Sequence, residues 1–139
     1  MISKSYKIRT PRDNLEIIMA KILIVDDDVR VIALLKGFLT SEGYEVTGIT
    51  HSSKAIQAAN SMHPDLFILD LMMPAPDGFT LCSMLRADPN FKETPILIIT
   101  AMADSNSKAT SFGANDYLTK PFNLDELVLR ITTLLNKTE

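Results

Sequence analysis

Ile22-Leu23-Ile24-Val25 runs straight into Asp26-Asp27-Asp28, and that junction decides the fold. Four consecutive branched apolar residues with no polar alternation mark a strand buried on both faces, as in a parallel sheet covered by helices. Asp28 is placed to cap the segment that follows. There Val31, Leu34, Leu35, Phe38 and Leu39 recur at helical spacing, and Gly43 ends the helix. The first unit is therefore strand, acidic turn, helix.

The same unit recurs downstream. Residues 44–49 form a second strand, and Ser52 or Ser53 is predicted to cap a helix with Ala55, Ala59 and Met62 on one face. His63-Pro64 stops that helix, because the residue before proline is pushed out of the helical region. Leu66-Phe67-Ile68-Leu69 is a third strand ending at Asp70, and a Pro/Gly-rich loop, 74–78, leads to a helix carrying Phe79, Cys82 and Leu85. Residues 95–99 make a fourth strand ending at Thr100. A polar helix over 105–112, closed by Gly113, precedes a short fifth strand at 117–119 that ends at Lys120-Pro121. The last helix starts at Asn123 and presents Leu124, Leu127, Val128, Ile131, Leu134 and Leu135. Five strands alternating with five helices predict an α/β, doubly wound, five-stranded parallel sheet with right-handed crossovers.

Upstream of Lys21 the pattern is lost. Residues 1–18 are net basic, whereas the rest of the chain is acidic, and Met1 to Thr10 shows no clear period before Pro11. Met19-Ala20-Lys21 reads like a second translation start. Residues 1–19 are expected to be a flexible extension, either vector-derived or mis-called, or a native arm with a short helix over 14–19. Residues 20–139 form the domain.

Composition narrows the class. The chain has 139 residues, 46% apolar and 22% charged, the profile of one ordinary globular domain. Its net charge of −3 supplies no electrostatic reason to bind nucleic acid. The one Cys excludes an internal disulfide or a zinc cage. No apolar run is long enough to span a bilayer, and no secretory h-region is present, so the expected address is the cytoplasm.

Ligands of open α/β sheets bind beyond the carboxyl ends of the strands. Those ends carry Asp26-Asp27-Asp28, Asp70, Thr100 and Lys120. If the first and third strands are neighbours, their carboxylates converge. Two unit charges about 4 Å apart repel by roughly 4 kcal/mol at an effective dielectric of about 20. The cluster must then raise a carboxylate pKa or hold a cation, and hard oxygen donors suit Mg²⁺. A hydroxyl and an ammonium opposite suit an anion beside that metal. Together these residues describe a phosphoryl site. Alone, each has a plainer role: helix cap, β-branched strand residue, surface lysine.

Val25-Asp26-Asp27, Asp70 with Met73-Pro74 and Asp77-Gly78, Thr100-Ala101 and Lys120-Pro121-Phe122 resemble the motif set of receiver domains of two-component response regulators. The resemblance covers about residues 20–137. It implies a flavodoxin-like fold with strand order 2-1-3-4-5, and Asp70 as acceptor of a phosphoryl group from a kinase histidine. It further implies that Asp26, Asp27, Asp70 and the Met72 carbonyl hold Mg²⁺, and that Thr100 and Lys120 meet the phosphoryl group. Lys120-Pro121 is expected to be cis, and Tyr117 matches the aromatic switch position.

Asp28 and Asp77 are read as helix and loop formers, with Gly78 taking a backbone angle other residues resist. Cys82 is read as a buried thiol, and His51 and His63 as inert. Met72 and Met102 border the site in this family. Thioethers cannot orient an attacking water, so slow self-dephosphorylation is expected. The poor helix former at 105–110 is either a shifting output element or a frayed surface helix.

The expected protein is a non-enzymatic, stand-alone receiver of the chemotaxis or sporulation-messenger type. Its partners would be a sensor histidine kinase or histidine phosphotransfer protein and a downstream target protein, with no direct nucleic-acid or membrane contact. A receiver cut from a longer regulator or hybrid kinase is the second reading. A haloacid-dehalogenase-type phosphatase is the third. Asp26-x-Asp28 fits its nucleophile motif, but Arg30 stands where Thr or Val belongs, and it would make Asp26 the nucleophile.

Overall fold

The computed structural model describes residues 6–9, 16–102 and 112–136. After a two-stranded hairpin, β1 (Tyr6–Arg9) and β2 (Glu16–Met19), come β3 (Lys21–Val25), α1 (Val29–Ser41), β4 (Glu45–Ile49) and α2 (Ala55–Met62). They are followed by β5 (Leu66–Leu69), α3 (Gly78–Ala87), β6 (Ile96–Thr100), β7 (Asp116–Thr119) and α4 (Leu124–Asn136). Strands β3 to β7 form one sheet in the order β4-β3-β5-β6-β7, and the pairs are parallel throughout. Counted within that sheet the order is 2-1-3-4-5, the expected doubly wound α/β arrangement.

Side chains alternate across each strand, so the central strands feed two cores. Leu23, Val25, Phe67, Leu69, Ile96 and Ile98 pack with α2 and α3 through Ala55, Ala59, Leu81, Cys82 and Leu85. Ile22, Ile24, Leu66, Ile68, Leu97 and Ile99 pack with α1 and α4 through Leu35, Leu39, Leu127, Ile131 and Leu134. Unbroken apolar runs are what a sheet covered on both faces demands. In α1 the core stripe is narrower than the sequence suggests: Leu35 and Leu39 are buried, but Leu34 is exposed. Cys82 is buried, as expected.

Four α-helices lie among the described residues. The expected helix at 105–112 falls on 103–111, outside them, apart from Phe112, whose ring lies 5.0 Å from that of Phe79. At the N-terminus a helix over 14–19 is not formed: residues 16–19 are extended and pair antiparallel with 6–9, Tyr6 opposite Met19 and Ile8 opposite Ile17. The signal was the alternation Tyr6-Lys7-Ile8-Arg9, too short to read until its partner strand is known.

Two local expectations are corrected. Neither Ser52 nor Ser53 caps α2; 52–54 form a 3₁₀ turn, and neither it nor α2 has a side-chain cap. Gly78 does not take a positive φ, unlike Gly43 and Gly113. It is needed for closeness, because a Cβ there would collide with the Asp70 carbonyl and Leu71 Cα.

Candidate functional site

The site is assembled by strand register. Val25 of β3 pairs with Leu69 of β5, so the next residue of each strand, Asp26 and Asp70, emerges side by side. The Asp70 amide donates to the Val25 carbonyl at 3.0 Å, and the Asp26 amide to that of Ile49 at 3.1 Å, continuing the ladder past the strand ends. Both carboxylates are buried, whereas Asp27 is exposed. One carboxylate oxygen from each of Asp26, Asp27 and Asp70 can be chosen so that all three lie within 4.8 Å of one another.

On the other side, Thr100 ends β6 and Lys120 follows β7. Thr100 pairs with Thr119, and its carbonyl accepts the Lys120 amide at 2.8 Å. The Thr100 side chain is fully buried, and its hydroxyl accepts the Met102 amide at 3.3 Å. Lys120 reaches across β6 and β5: its ammonium lies 2.8 Å from Asp26 Oδ2 and 3.4 Å from Asp70 Oδ2. The Lys120-Pro121 bond is cis, as expected; Ala75-Pro76 is also cis.

Burial sets the electrostatics. It pushes the Asp26 carboxyl above the usual range, against the opposing pull of Lys120 and the Asp28 amide, and the Asp70 charge adds to the rise. Burial pulls the Lys120 ammonium down, but the Asp26 hydrogen bond and the charges of Asp26 and Asp70 outweigh it, leaving its pKa raised. A divalent cation among these oxygens would relieve the same crowding. The donors are hard oxygens alone, which fits Mg²⁺.

Other predicted residues fall into place around this centre. Asp28 caps α1 by accepting the Arg30 amide at 2.9 Å, and its carboxylate pairs with the Arg30 guanidinium; its own amide donates to Asp26 Oδ1. Asp77 caps α3 through the Thr80 amide at 2.8 Å. Met72 is exposed beside the cluster, its amide donating to Asp70 Oδ1 at 3.2 Å. Tyr117 is half-buried and lines a groove of about 400 Å³ with Phe122, Asn123, Glu126 and Arg130. His51 and His63 are exposed.

Sequence reasoning overlooked Arg86. Its guanidinium donates to the carbonyls of Gly113, Phe91 and Thr94 and to Asn115 Oδ1, at 2.7–2.9 Å. Asn115 Oδ1 also accepts the Ile96 amide, so one arginine bolts α3, the loop after it, the start of β6 and the turn before β7 together. An arginine in the last turn of a helix looks like a surface residue until the fold brings four acceptors around it.

The response regulator receiver domain model matches residues 22–132. The DNA-binding dual master transcriptional regulator RpaA of Synechocystis sp. is 41% identical over 123 residues, 87% of this chain and 51% of that protein. Transcriptional regulatory protein ResD of Bacillus subtilis is 38% identical over 119 residues, 84% of this chain and 48% of that protein. The chain thus spans about half the length of these curated relatives. Among solved structures, a two-component response regulator from Clostridium difficile superposes with a TM-score of 0.80 at 32% identity, covering 87% of this chain and 99% of that one. Response regulator protein TrrA from Thermotoga maritima, in complex with Mg²⁺-BeF, gives 0.76 at 34% identity, covering 84% and 99%.

Proposed function

The chain belongs to the response regulator receiver domain family, and on that footing we propose that Asp70 accepts a phosphoryl group from a histidine kinase or a histidine phosphotransfer protein. The observation that carries this is the Asp70 carboxylate at a strand end, flanked by Asp26 and Asp27 and with the Lys120 ammonium 3.4 Å away. An Asp70 oxygen attacks phosphorus as the phosphohistidine P–N bond breaks, and the imidazole leaves with a proton.

Asp26, Asp27, Asp70 and the Met72 carbonyl are the oxygens that would hold Mg²⁺. That ion supplies positive charge against the phosphoryl oxygens. The chain's own residues do the rest. Lys120 pairs with a phosphoryl oxygen, and the Thr100 hydroxyl turns from the Met102 amide to donate to another. The loss of that Thr100 contact and the new charge are the start of the switch, with Tyr117 beyond it as the aromatic that responds. The chemistry ends in a bound acyl phosphate rather than a released product, so the domain acts as a switch and not as an enzyme. Its setting is the cytoplasm, where sensor kinases present their phosphohistidine; no described helix is long and apolar enough to cross a membrane.

The output is a changed affinity for a downstream protein. A second reading makes this chain the receiver part of a longer regulator, favoured by the half-length match to RpaA and ResD. The phosphoryl chemistry is common to both. Exposure to a small acyl phosphate should modify the wild type only with Mg²⁺ present and leave Asp70→Asn unmodified; equal modification of the variant would refute the assignment.

A further inference from the structure

Ser52 was expected to cap a helix, and it does not. Its hydroxyl is spent elsewhere. Ser52 is buried, and Oγ donates to the carbonyl of Pro74 at 3.0 Å, twenty-two residues away. The bond joins the loop after β4 to the loop after β5, which carries Met72 beside the acidic cluster.

That second loop has few other means of holding its shape. Pro74 and Pro76 have no N–H to donate. Met72, Pro74 and Ala75 are exposed, and only Met73 sends its side chain into the core. The loop is tied at its ends, by the Met72 amide on Asp70 Oδ1 and by the Gly78 amide on the Leu71 carbonyl. Between those ties, among the described residues, the Ser52 bond is the one hydrogen bond from 73–76 to another element. Packing between the two loops is incomplete, because a small cavity of about 80 Å³ is lined by Thr50, His51, Ser52, Ser53, Pro74 and Ala75.

We infer that Ser52 is a positioning residue for the cation site: by holding the Pro74 carbonyl it orients the backbone that presents the Met72 carbonyl. The inference rests on the reading of Met72 as a donor to Mg²⁺ given above. Loss of the bond frees the Pro74–Ala75 peptide, two peptide units on from the Met72 carbonyl, and the cost appears as weaker cation binding.

The test is direct binding of Mn²⁺, followed by the signal of the free ion in electron paramagnetic resonance, with Mg²⁺ as competitor. Ser52→Ala should weaken binding by about three- to tenfold, the scale of one hydrogen bond. Ser52→Thr, which keeps the hydroxyl, should stay within about twofold of wild type on the same scale. If Ser52→Ala fails to fold, Ser52→Thr and Ser52→Val form a near-isosteric pair that differs in the hydroxyl, and Thr should bind the more tightly. Equal affinities in the usable pair overturn the role of Ser52. Asp26→Asn separates that failure from a deeper one: binding that survives Asp26→Asn, or a wild type that binds neither ion, overturns the cation site and the inference with it.

Discussion

The Lys120 ammonium lies 2.8 Å from Asp26 and 3.4 Å from Asp70, so the lysine is first the counter-ion of the neighbouring carboxylate and only second that of the proposed acceptor. Asp26 is also the carboxylate whose pKa burial raises. A divalent cation therefore competes with Lys120 for Asp26. Replacing Lys120 by Met should raise Mg²⁺ affinity by about three- to tenfold while slowing phosphoryl uptake. Titration of the variant checks both; an unchanged or weaker affinity would mean that the lysine and the cation do not compete.

The raised pKa of Asp26 also gives a pH dependence. Cation binding needs the ionised carboxylate, so affinity should be full at neutral pH and fall as pH drops through a value above the ordinary carboxylate range. Mg²⁺ titrations between about pH 4 and 7 would detect this, the window following from the ordinary carboxylate range and the upward shift. Loss only at the ordinary carboxylate pKa would show that burial does not shift Asp26.

Tyr44 offers a second titration, away from the site. Its hydroxyl is buried without a hydrogen-bond partner among the described residues, and burial pushes its pKa up to about 12. A raised pKa means that the folded chain holds the phenolic proton more tightly than the unfolded chain. Its contribution is full below about pH 10, the unfolded value, and is lost as pH rises through about 12. Tyr44→Phe should be neutral to about 1 kcal/mol more stable at pH 7, and its advantage should widen above about pH 10. Parallel stability curves for the two proteins up to about pH 11 would contradict this.

Arg86 is the strongest structural prediction. Arg86→Met keeps much of the packing and removes four hydrogen bonds from a charged donor, leaving half-buried carbonyls with nothing in return. The expected cost is about 2–4 kcal/mol. Urea unfolding with an unchanged slope would measure it; a change under about 0.5 kcal/mol would mean that water replaces the arginine.

Met72 bears on lifetime. It is 57% exposed beside Asp70, and its thioether cannot orient water for attack on a phosphoryl group. Met72→Asn should speed loss of the phosphoryl group by about two- to tenfold. Decay of the modified protein after removal of the acyl phosphate, with Mg²⁺ kept present and followed by mass, reads this directly; equal or slower decay would remove Met72 from the account.

The sheet was legible because its three inner strands, β3, β5 and β6, carry continuous apolar runs with charged or hydroxyl residues at their ends, and parallel strands joined by helices leave few topologies. The site was legible for the same reason, since its residues stand at or just beyond the carboxyl ends of strands and register does the rest. What the sequence hid depends on partners far along the chain. The β1–β2 hairpin needs two four-residue strands to find each other. Ser52 looked like a cap because serine before a helix usually is one, but its partner, the Pro74 carbonyl to which its hydroxyl donates, lies beyond the next strand. Arg86 needs acceptors from two other segments, the loop after α3 and the turn before β7. Gly78 was read as taking a backbone angle other residues resist, but what requires it is the close approach of the Asp70 carbonyl and Leu71 Cα rather than its own φ.

The central claim is that Asp70, and not a neighbouring carboxylate, becomes the acyl phosphate. Borohydride reduces an aspartyl phosphate to homoserine and leaves a free carboxylate untouched. Peptide mapping after phosphoryl transfer and reduction should therefore find homoserine at position 70 alone, dependent on Mg²⁺. Homoserine at position 26 would contradict the account and favour the phosphatase-type nucleophile.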